Sequence, residues 1–292
     1  MSTSRLVSIV LTTLNAATYL REAIDSCLNQ TYHDLELIVV DGGSTDKTLD
    51  ILATYTDQRM SVIHQEHNAG KLPGAINLGF DHAKGEYLTW MQADSYYAPD
   101  AIAQMVNILN HNPNIGQVYA NFFEVGPEGQ VVKMVKLPEP ESFLDLTGDP
   151  AGVCFLIRRS VRETIGPHNV STHPNHDFDY RMRIALRFAS FQIREPLYYW
   201  RYHPASLTGQ IGWVALARKD VDIRVGLGLD TPAQARQRRA QIEMAYAFEC
   251  YQHGRWKQVP FQVWEGLHRD WRFARNRGVW SILARSLARS LR

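Results

Sequence analysis

Leu6-Val-Ser-Ile-Val-Leu11, broken by Thr12-Thr-Leu-Asn15, and Leu35-Glu-Leu-Ile-Val-Val40, stopped by Asp41-Gly-Gly-Ser-Thr-Asp46, decide how this chain folds. Both runs are short, rich in β-branched residues and apolar at nearly every position. That pattern belongs to strands buried on both faces of a parallel sheet. Between them Tyr19, Leu20, Ala23, Ile24, Cys27 and Leu28 recur at helical spacing, and Asn15 is placed to cap that helix. Working outward, Leu49, Ile51 and Leu52 suit a helix, Ser61 to His64 a third strand, and Gly74 to His82 a third helix. Glu86 to Trp90 reads as a fourth strand, followed by the polar Gln92-Ala-Asp-Ser95 and a helix from about Asp100 to Leu109. Alternating strands and helices predict an α/β class, with right-handed crossovers and helices on both faces of a mostly parallel sheet. In such sheets ligands bind beyond the carboxyl ends of the strands. The loops at 12–15, 41–46 and 92–95 all fall there.

Past Asn110 the rhythm changes. Gln117 to Glu124, a Gly-Pro-Glu-Gly turn and Val131 to Val135 predict a hairpin. Residues 137–150 read as a loop, Ala151 to Ile157 as a strand, Phe178 to Phe188 as a helix, and Phe191 to Tyr202 as two short strands. Beyond Gly212 the strands stop, and Ala233 to Gln252, Val259 to Leu267 and Val279 to Leu291 read as helices. The expected organisation is an α/β domain over 1–212 with a C-terminal helical extension over 213–292. Tyr246 to Trp256 resembles half of a tetratricopeptide unit in a single copy, which implies a helical hairpin and no solenoid.

Composition narrows the class. The 292 residues carry 31 Lys and Arg against 30 Asp and Glu, with 45% hydrophobic and 21% charged residues. That usage excludes disordered, collagenous and disulfide-stapled chains, and the even charge argues against a nucleic-acid partner. Cys27, Cys154 and Cys250 lie far apart with no Cys-x-x-Cys pair, which suits a reducing compartment and argues against a zinc cluster. With neither a signal-peptide pattern nor a membrane-length apolar run, the expectation is a cytoplasmic soluble protein. The charge is uneven, however. Arg255 to Arg292 holds nine basic residues against Glu265 and Asp270, leaving the first 254 residues at net −6.

The usual phosphate cradles, Gly-x-Gly-x-x-Gly after the first strand or a Walker lysine loop, do not occur. Acids stand at strand ends instead: Asp41 after the second strand and Asp94 after the fourth. Each can accept hydrogen bonds from a base or ribose, or hold a hard divalent cation on a diphosphate. Each can equally be a turn or capping residue.

Several motifs together resemble the inverting glycosyltransferases of family 2, which have a GT-A fold. They are Val7-Ser-Ile-Val-Leu-Thr-Thr-Leu-Asn15, Ile38-Val-Val-Asp-Gly-Gly-Ser-Thr-Asp46, Gly74-Ala-Ile-Asn-Leu-Gly79 and Ala83-Lys-Gly-Glu-Tyr-Leu-Thr-Trp-Met-Gln-Ala-Asp94. His176-Asp-Phe-Asp-Tyr-Arg-Met-Arg183 and Trp200-Arg-Tyr-His-Pro-Ala-Ser-Leu-Thr208 continue the likeness, which covers roughly residues 5–210. The resemblance implies a sugar nucleotide donor, UDP-linked, and an acceptor hydroxyl on a saccharide or a lipid-linked carrier. It also implies Mn²⁺ or Mg²⁺ as cofactor, and a part in polysaccharide or glycoconjugate synthesis. Position by position, Asp41 matches the acid that contacts the base, with Thr12 and Asn15 lining the same pocket. Asp94 matches the last acid of the family's Asp-x-Asp, the metal ligand on the diphosphate. Gln92 and Ala93 precede it, and Gln92 can accept a hydrogen bond from ribose. Asp177 matches the general base, His203 a residue that reaches the metal or leaving diphosphate, and Lys71 a lysine near the diphosphate.

The departures from the family pattern are specific. Gly42 replaces the second acid of Asp-Asp-Gly-Ser, Leu14 stands where an aromatic is frequent, and Gln92-Ala-Asp-Ser95 keeps one carboxylate of three. The thinned motif leaves open a nucleotide-binding scaffold without turnover as an alternative to an enzyme. A nucleotidyltransferase would need a Gly-rich, basic signature that residues 10–25 do not supply. His173 and His176 read as loop histidines, and Trp90 as either core or sugar-stacking. Over 279–292, Val279, Ile282, Leu283, Leu287 and Leu291 share one helix side, with Arg285, Arg289 and Arg292 on another. Such a helix can lie on the inner face of an anionic membrane, or dock its apolar side on the protein's own hairpin.

Overall fold

All seven residues of the first strand, β1 (Val7–Thr13), are buried, which accounts for its largely apolar run: a helix covers each face. In the computed structural model, which describes residues 5–65, 71–145, 153–203 and 211–290, the chain divides into two compact units, Met1–Gly209 and Gln210–Arg292.

In the first unit, β1 pairs in parallel with β2 (Leu35–Asp41) on one side and β4 (Tyr87–Gln92) on the other, and β2 pairs in parallel with β3 (Met60–His64). Val7, Ile9 and Leu11 pack into a core with Leu20, Ala23, Ile24 and Cys27 of α1 (Leu20–Leu28) and with α4 (Ala101–His111). The opposite face of β1 receives α3 (Lys71–His82). A Cβ at Gly79 would lie 2.4 Å from a Val10 methyl, so the helix seats at a distance that only glycine permits. The short α2 (Thr48–Leu52) links β2 to β3.

The sheet then becomes mixed. Among the described residues its order is β3-β2-β1-β4-β8-β6-β9-β5, with β5 (Tyr96–Tyr97), β6 (Ile115–Val125), β8 (Phe155–Arg158) and β9 (Ala189–Arg201). β7 (Val131–Val135) hangs on β6 as the expected hairpin. Helices α5 (Arg159–Ile165) and α6 (His176–Ala185) fill the connection from β8 to β9.

Three local expectations change. Residues 191–201 are not two strands but part of the single β9, and Tyr202 lies just past its end. Pro196, which lacks an N–H, falls at a register shift opposite Asn121, whose side-chain amide donates to the Arg194 carbonyl at 2.6 Å and carries the pairing past the break. Residues 140–145 form a 3-10 turn rather than loop, and 146–150 lie outside the described residues. The strand expected from Ala151 begins at Phe155, with Ala151 and Gly152 outside the described residues.

The second unit is helical: α7 (Trp213–Gly226), α8 (Pro232–Gln252), α9 (Val259–Arg269) and α10 (Arg277–Ser290). The sequence reading missed α7, because its inward side carries Asp220 and Arg224 beside Val221 and Ile223 and shows no apolar stripe. Arg224 and Arg238 each pair with the buried Asp230 at 2.8 Å. Thr231 then opens α8 with a reciprocal capping box to Gln234. α8 and α9 form the expected hairpin. Val279 and Ile282 of α10 are buried with Met244, Ala247, Cys250, Val259 and Val263, so the apolar side of α10 docks on that hairpin. Arg289 lies 4.4 Å over the Trp256 ring on another side, and Leu291 is outside the described residues. Among the described residues no helix is long and apolar enough to cross a membrane.

Candidate active site

From β1 the chain winds outward through β2 and β3, then returns to place β4 on β1's other side. At that reversal the loops leaving β1 and β4 diverge and open a crevice beyond their carboxyl ends. A cleft of about 500 Å³ occupies it, walled by 12–16 after β1, Gly42 after β2, Leu72 and Ala75 of α3, Gln92, Ala93 and Asp94 after β4, and His203 after β9. The structure thus brings Thr12, Asn15, Gln92, Ala93, Asp94 and His203 together. Thr12 and Gln92 are register partners, one pair away from Thr13 and Asp41.

The rim is stapled by side chains reaching between loops. Asn15 does not cap α1, which begins at Leu20. It holds a left-handed conformation (φ 52°), its N–H donates to Ser44 Oγ at 2.9 Å, and its Oδ1 accepts from the Thr45 N–H at 2.8 Å. The Ala16 N–H donates to Thr48 Oγ1 at 3.0 Å. Asp41 is buried just below the rim rather than in the cleft lining. Its carboxylate accepts from the Gly43 and Ser44 N–H groups, both at 3.1 Å, and from Ser44 Oγ at 2.5 Å, and Gly43 takes φ 91° to close that turn. Asp41 therefore shapes the loop whose Gly42 faces the cleft.

On the far wall His203 Nε2 and Asp94 Oδ2 are 3.2 Å apart, with side chains 18% and 24% exposed. Ser95 Oγ donates to the other Asp94 oxygen at 3.0 Å, and the Tyr19 ring lies 5.5 Å from that of His203. Behind them Arg201 is 2% exposed. It donates through Nε to the Asp94 carbonyl at 2.9 Å and through Nη1 to the carbonyls of Gly126 and Pro127 at 3.1 and 2.8 Å. Its Nη2 pairs with Glu22. In the sequence Arg201 stands within a motif without a role of its own, and Tyr19 reads only as a helix-spaced position, not as a site residue. The one available signal was their closeness in sequence to His203 and Asn15.

Two buried polar atoms beside this wall, Gln92 Oε1 and Thr13 Oγ1, have no hydrogen-bond partner among the described residues. A buried acceptor left unmatched is destabilising unless a ligand or water serves it. Among the described residues no Lys or Arg lines the cleft, so an anionic ligand there needs a cation of its own. Asp94 and His203 fit a divalent ion: they are adjacent oxygen and nitrogen donors of the kind Mn²⁺ accepts. No group of three or more His, Cys, Asp or Glu side chains gathers for a metal among the described residues. An ion held here would complete its six positions with ligand oxygens and water.

Besides Asp41, two expected site residues stay out of the lining. Lys71 is the exposed first residue of α3 (φ 55°), immediately before Leu72. Asp177 sits in the first turn of α6, where its Oδ1 accepts from the Phe178 N–H at 2.8 Å. α6 packs through His176, whose ring is 5.8 Å from Trp90 on β4, so the helix start abuts the strand that ends in Gln92. His176 is therefore a buried helix residue, not a loop histidine, and Trp90, 3% exposed, belongs to the core. Asp179 is held by Arg183 at 2.8 Å.

Comparison with known proteins identifies the family and the fold. The model of "Glycosyl transferase family 2" matches residues 8–166. An uncharacterized glycosyltransferase of Rickettsia typhi is 34% identical over 214 residues, covering 70% of this chain and 66% of that protein. The putative glycosyltransferase EpsH of Bacillus subtilis is 28% identical over 219 residues, covering 69% of this chain and 62% of that one. The chain thus spans about two thirds of the length of these relatives. Among solved structures, mannosyltransferase PcManGT from Pyrobaculum calidifontis, in complex with GDP-Man and Mn²⁺, aligns with a TM-score of 0.63 at 20% identity, over 100% of this chain and 82% of its own. S. aureus TarS 1–349 in complex with UDP aligns at 0.58 and 17% identity, over 81% and 70%. At such identities the likeness is one of fold. By its matched residues and its architecture, this chain belongs to glycosyltransferase family 2, with a GT-A fold and a C-terminal helical region.

Proposed function

We propose that the protein transfers a sugar from a UDP-linked donor to an acceptor hydroxyl on a saccharide or lipid-linked carrier, with inversion at the anomeric carbon. The observation that carries this reading is the Asp94–His203 pair at 3.2 Å on the wall of a cleft that, among the described residues, no Lys or Arg lines. That arrangement suits a diphosphate bridged to protein by Mn²⁺ or Mg²⁺. When bound, the ion stabilises the charge that develops on the leaving diphosphate. Gln92 Oε1 accepts from the ribose and so gains the partner it lacks. Thr12, Asn15 and the loop shaped by Asp41 receive the base, while Ala93 gives the donor close passage and Lys71 approaches the diphosphate from the rim. The structural neighbours solved in complex with UDP, UDP-GlcNAc or GDP-Man support a nucleotide-sugar donor in general.

Asp177 takes the acceptor's proton. As it does so, the acceptor oxygen bonds to the anomeric carbon, the bond to the diphosphate oxygen breaks, and the nucleoside diphosphate departs. Entry of the acceptor brings its hydroxyl to the start of α6, next to the β4 wall. The setting is the cytoplasm, in keeping with three buried free thiols.

Loss of two of the three usual carboxylates favours one second reading, a nucleotide-binding scaffold with little turnover. Incubating the protein with a panel of UDP- and GDP-sugars, with and without Mn²⁺, separates the two. Metal-dependent release of free nucleotide supports the transferase. Binding across the panel without release supports the scaffold.

A further inference from the structure

The helical unit presents a second surface that the donor cleft does not use. On α9 the inward positions are Val259, Gln262, Val263 and Gly266, which at helical spacing turns Phe261, Trp264 and His268 outward. Phe261 and Trp264 are 59% and 57% exposed, and the Trp264 and His268 rings stack at 5.3 Å. The chain then enters the 3-10 turn Trp271–Arg275, where Asp270 accepts from the Arg272 backbone and side chain and Trp271 is left 65% exposed. The Arg275 guanidinium lies 5.0 Å over the Trp271 ring. Trp280 of α10, 47% exposed, leans on the same turn through its indole N–H, which donates to the Ala274 carbonyl at 2.7 Å. Large aromatic side chains left in water along one stretch of chain exceed the isolated exposed residues of an ordinary surface.

The charge of this region selects the partner. Residues 255–290 hold eight basic and two acidic side chains. Both acids are already paired, Glu265 with Arg269 and Asp270 with Arg272. Lys257, Arg275, Arg277 and Arg289 have no acidic partner among the described residues. Indole rings settle at the boundary between headgroups and acyl chains, and adjoining guanidinium groups pair with anionic headgroups. A second copy of the chain fits less well: its acidic remainder would meet this basic region head to tail, a contact that closes no dimer.

We propose that this aromatic and basic face, formed by α9, the 271–275 turn and the Trp280 flank of α10, seats the protein on an anionic lipid surface. It is a different contact from the apolar side of α10, which the hairpin buries. It also stands apart from the transferase reading, since its test needs no donor.

The test is co-sedimentation of the full-length protein with phosphatidylglycerol–phosphatidylcholine vesicles and with phosphatidylcholine alone. Binding should be confined to the anionic vesicles, fall as salt rises, and drop by at least about tenfold in a Trp264→Ser/Trp271→Ser double variant whose circular dichroism matches wild type. Arg275→Gln/Arg277→Gln should reduce binding and its salt dependence together. Wild-type tryptophan fluorescence should also be quenched by brominated acyl chains, a readout that requires no variant. Absence of binding at low salt, undiminished binding by a folded double variant, absence of quenching, or a lipid-free dimer that the double variant dissolves would each overturn the proposal.

Discussion

Replacing Arg201 with glutamine removes one buried cation and its contacts with three distant segments at once. The side chain is 2% exposed, donates to the carbonyls of Asp94, Gly126 and Pro127, pairs with Glu22, and lies 4.5 Å from the Tyr19 ring centre. Hydrogen bonds to a charged donor are worth about 1.5–3 kcal/mol each. Simple addition over three carbonyls overshoots, because contacts in one network are not independent. Glu22 is 48% exposed on its side chain and stays hydrated when its partner goes. The expected loss therefore comes from the three carbonyls left without their donor, at about 1–3 kcal/mol for each unsatisfied group and less than additive, so about 3–5 kcal/mol in all. For a unit of this size, at about 2–4 °C per kcal/mol, the melting temperature should fall by roughly 6–20 °C. Arg201→Lys keeps the charge but not the planar fork, and should lose about half as much. Because Arg201 fixes the Asp94 carbonyl two residues before His203, the lysine variant should also bind Mn²⁺ about 10-fold more weakly, the lower end for a residue that orients metal ligands. Its metal-free nucleotide binding should be unchanged. Differential scanning fluorimetry and calorimetry read both effects. A fall under 2 °C for Arg201→Gln, or wild-type Mn²⁺ affinity in Arg201→Lys, would refute the reasoning.

Asp177→Asn should leave donor binding intact and slow transfer about 10²- to 10⁴-fold once an acceptor is identified; near wild-type transfer would remove Asp177 from the role of base. Burial, reinforced by the charges of His176 and Arg183, holds His168 well below the usual imidazole range, so the folded protein keeps it neutral. The unfolded chain takes up that proton below its ordinary pKa of about 6.5, so stability should fall as pH drops through that value, by up to about 1.4 kcal/mol per unit. Urea melts of His168→Phe should show a correspondingly flatter dependence between pH 6.5 and 5, and an unchanged slope would contradict this. Burial pushes the Cys27 thiol up to about 12, and Cys154 is likewise fully enclosed. Neither should react with a thiol reagent until the protein unfolds, and rapid labelling of native protein would show the core to be open.

The apolar runs at β1 and β2 announced the parallel sheet because burial on both faces leaves few polar positions to obscure the strand. Their ends then located the cleft, since β1 and β4 must diverge where the order reverses. Asn15 was misread for a physical reason: an amide just before a helical pattern can cap the helix or bridge to another loop, and only the nearness of Ser44 and Thr45 decides. α7 was invisible because its buried positions include charged residues satisfied by tertiary partners. The role of Arg201 lay beyond any local pattern, as its acceptors come from residues 94, 126 and 127 and its counter-ion from residue 22. The aromatic face of α9 emerged only when the hairpin showed which side of that helix is inward.

The central claim is that Asp94 and His203 hold a divalent cation against a donor diphosphate while the 41–46 loop holds the base. Calorimetric titration of UDP into wild type, Asp94→Ala and Asp41→Ala, each with and without Mn²⁺, tests it most directly. Wild type should gain affinity with Mn²⁺, and Asp94→Ala should lose that gain while keeping its metal-free binding. Asp41→Ala should bind more weakly under both conditions and still respond to the metal. Equal losses in both variants under both conditions, or a full Mn²⁺ response in Asp94→Ala, would contradict it.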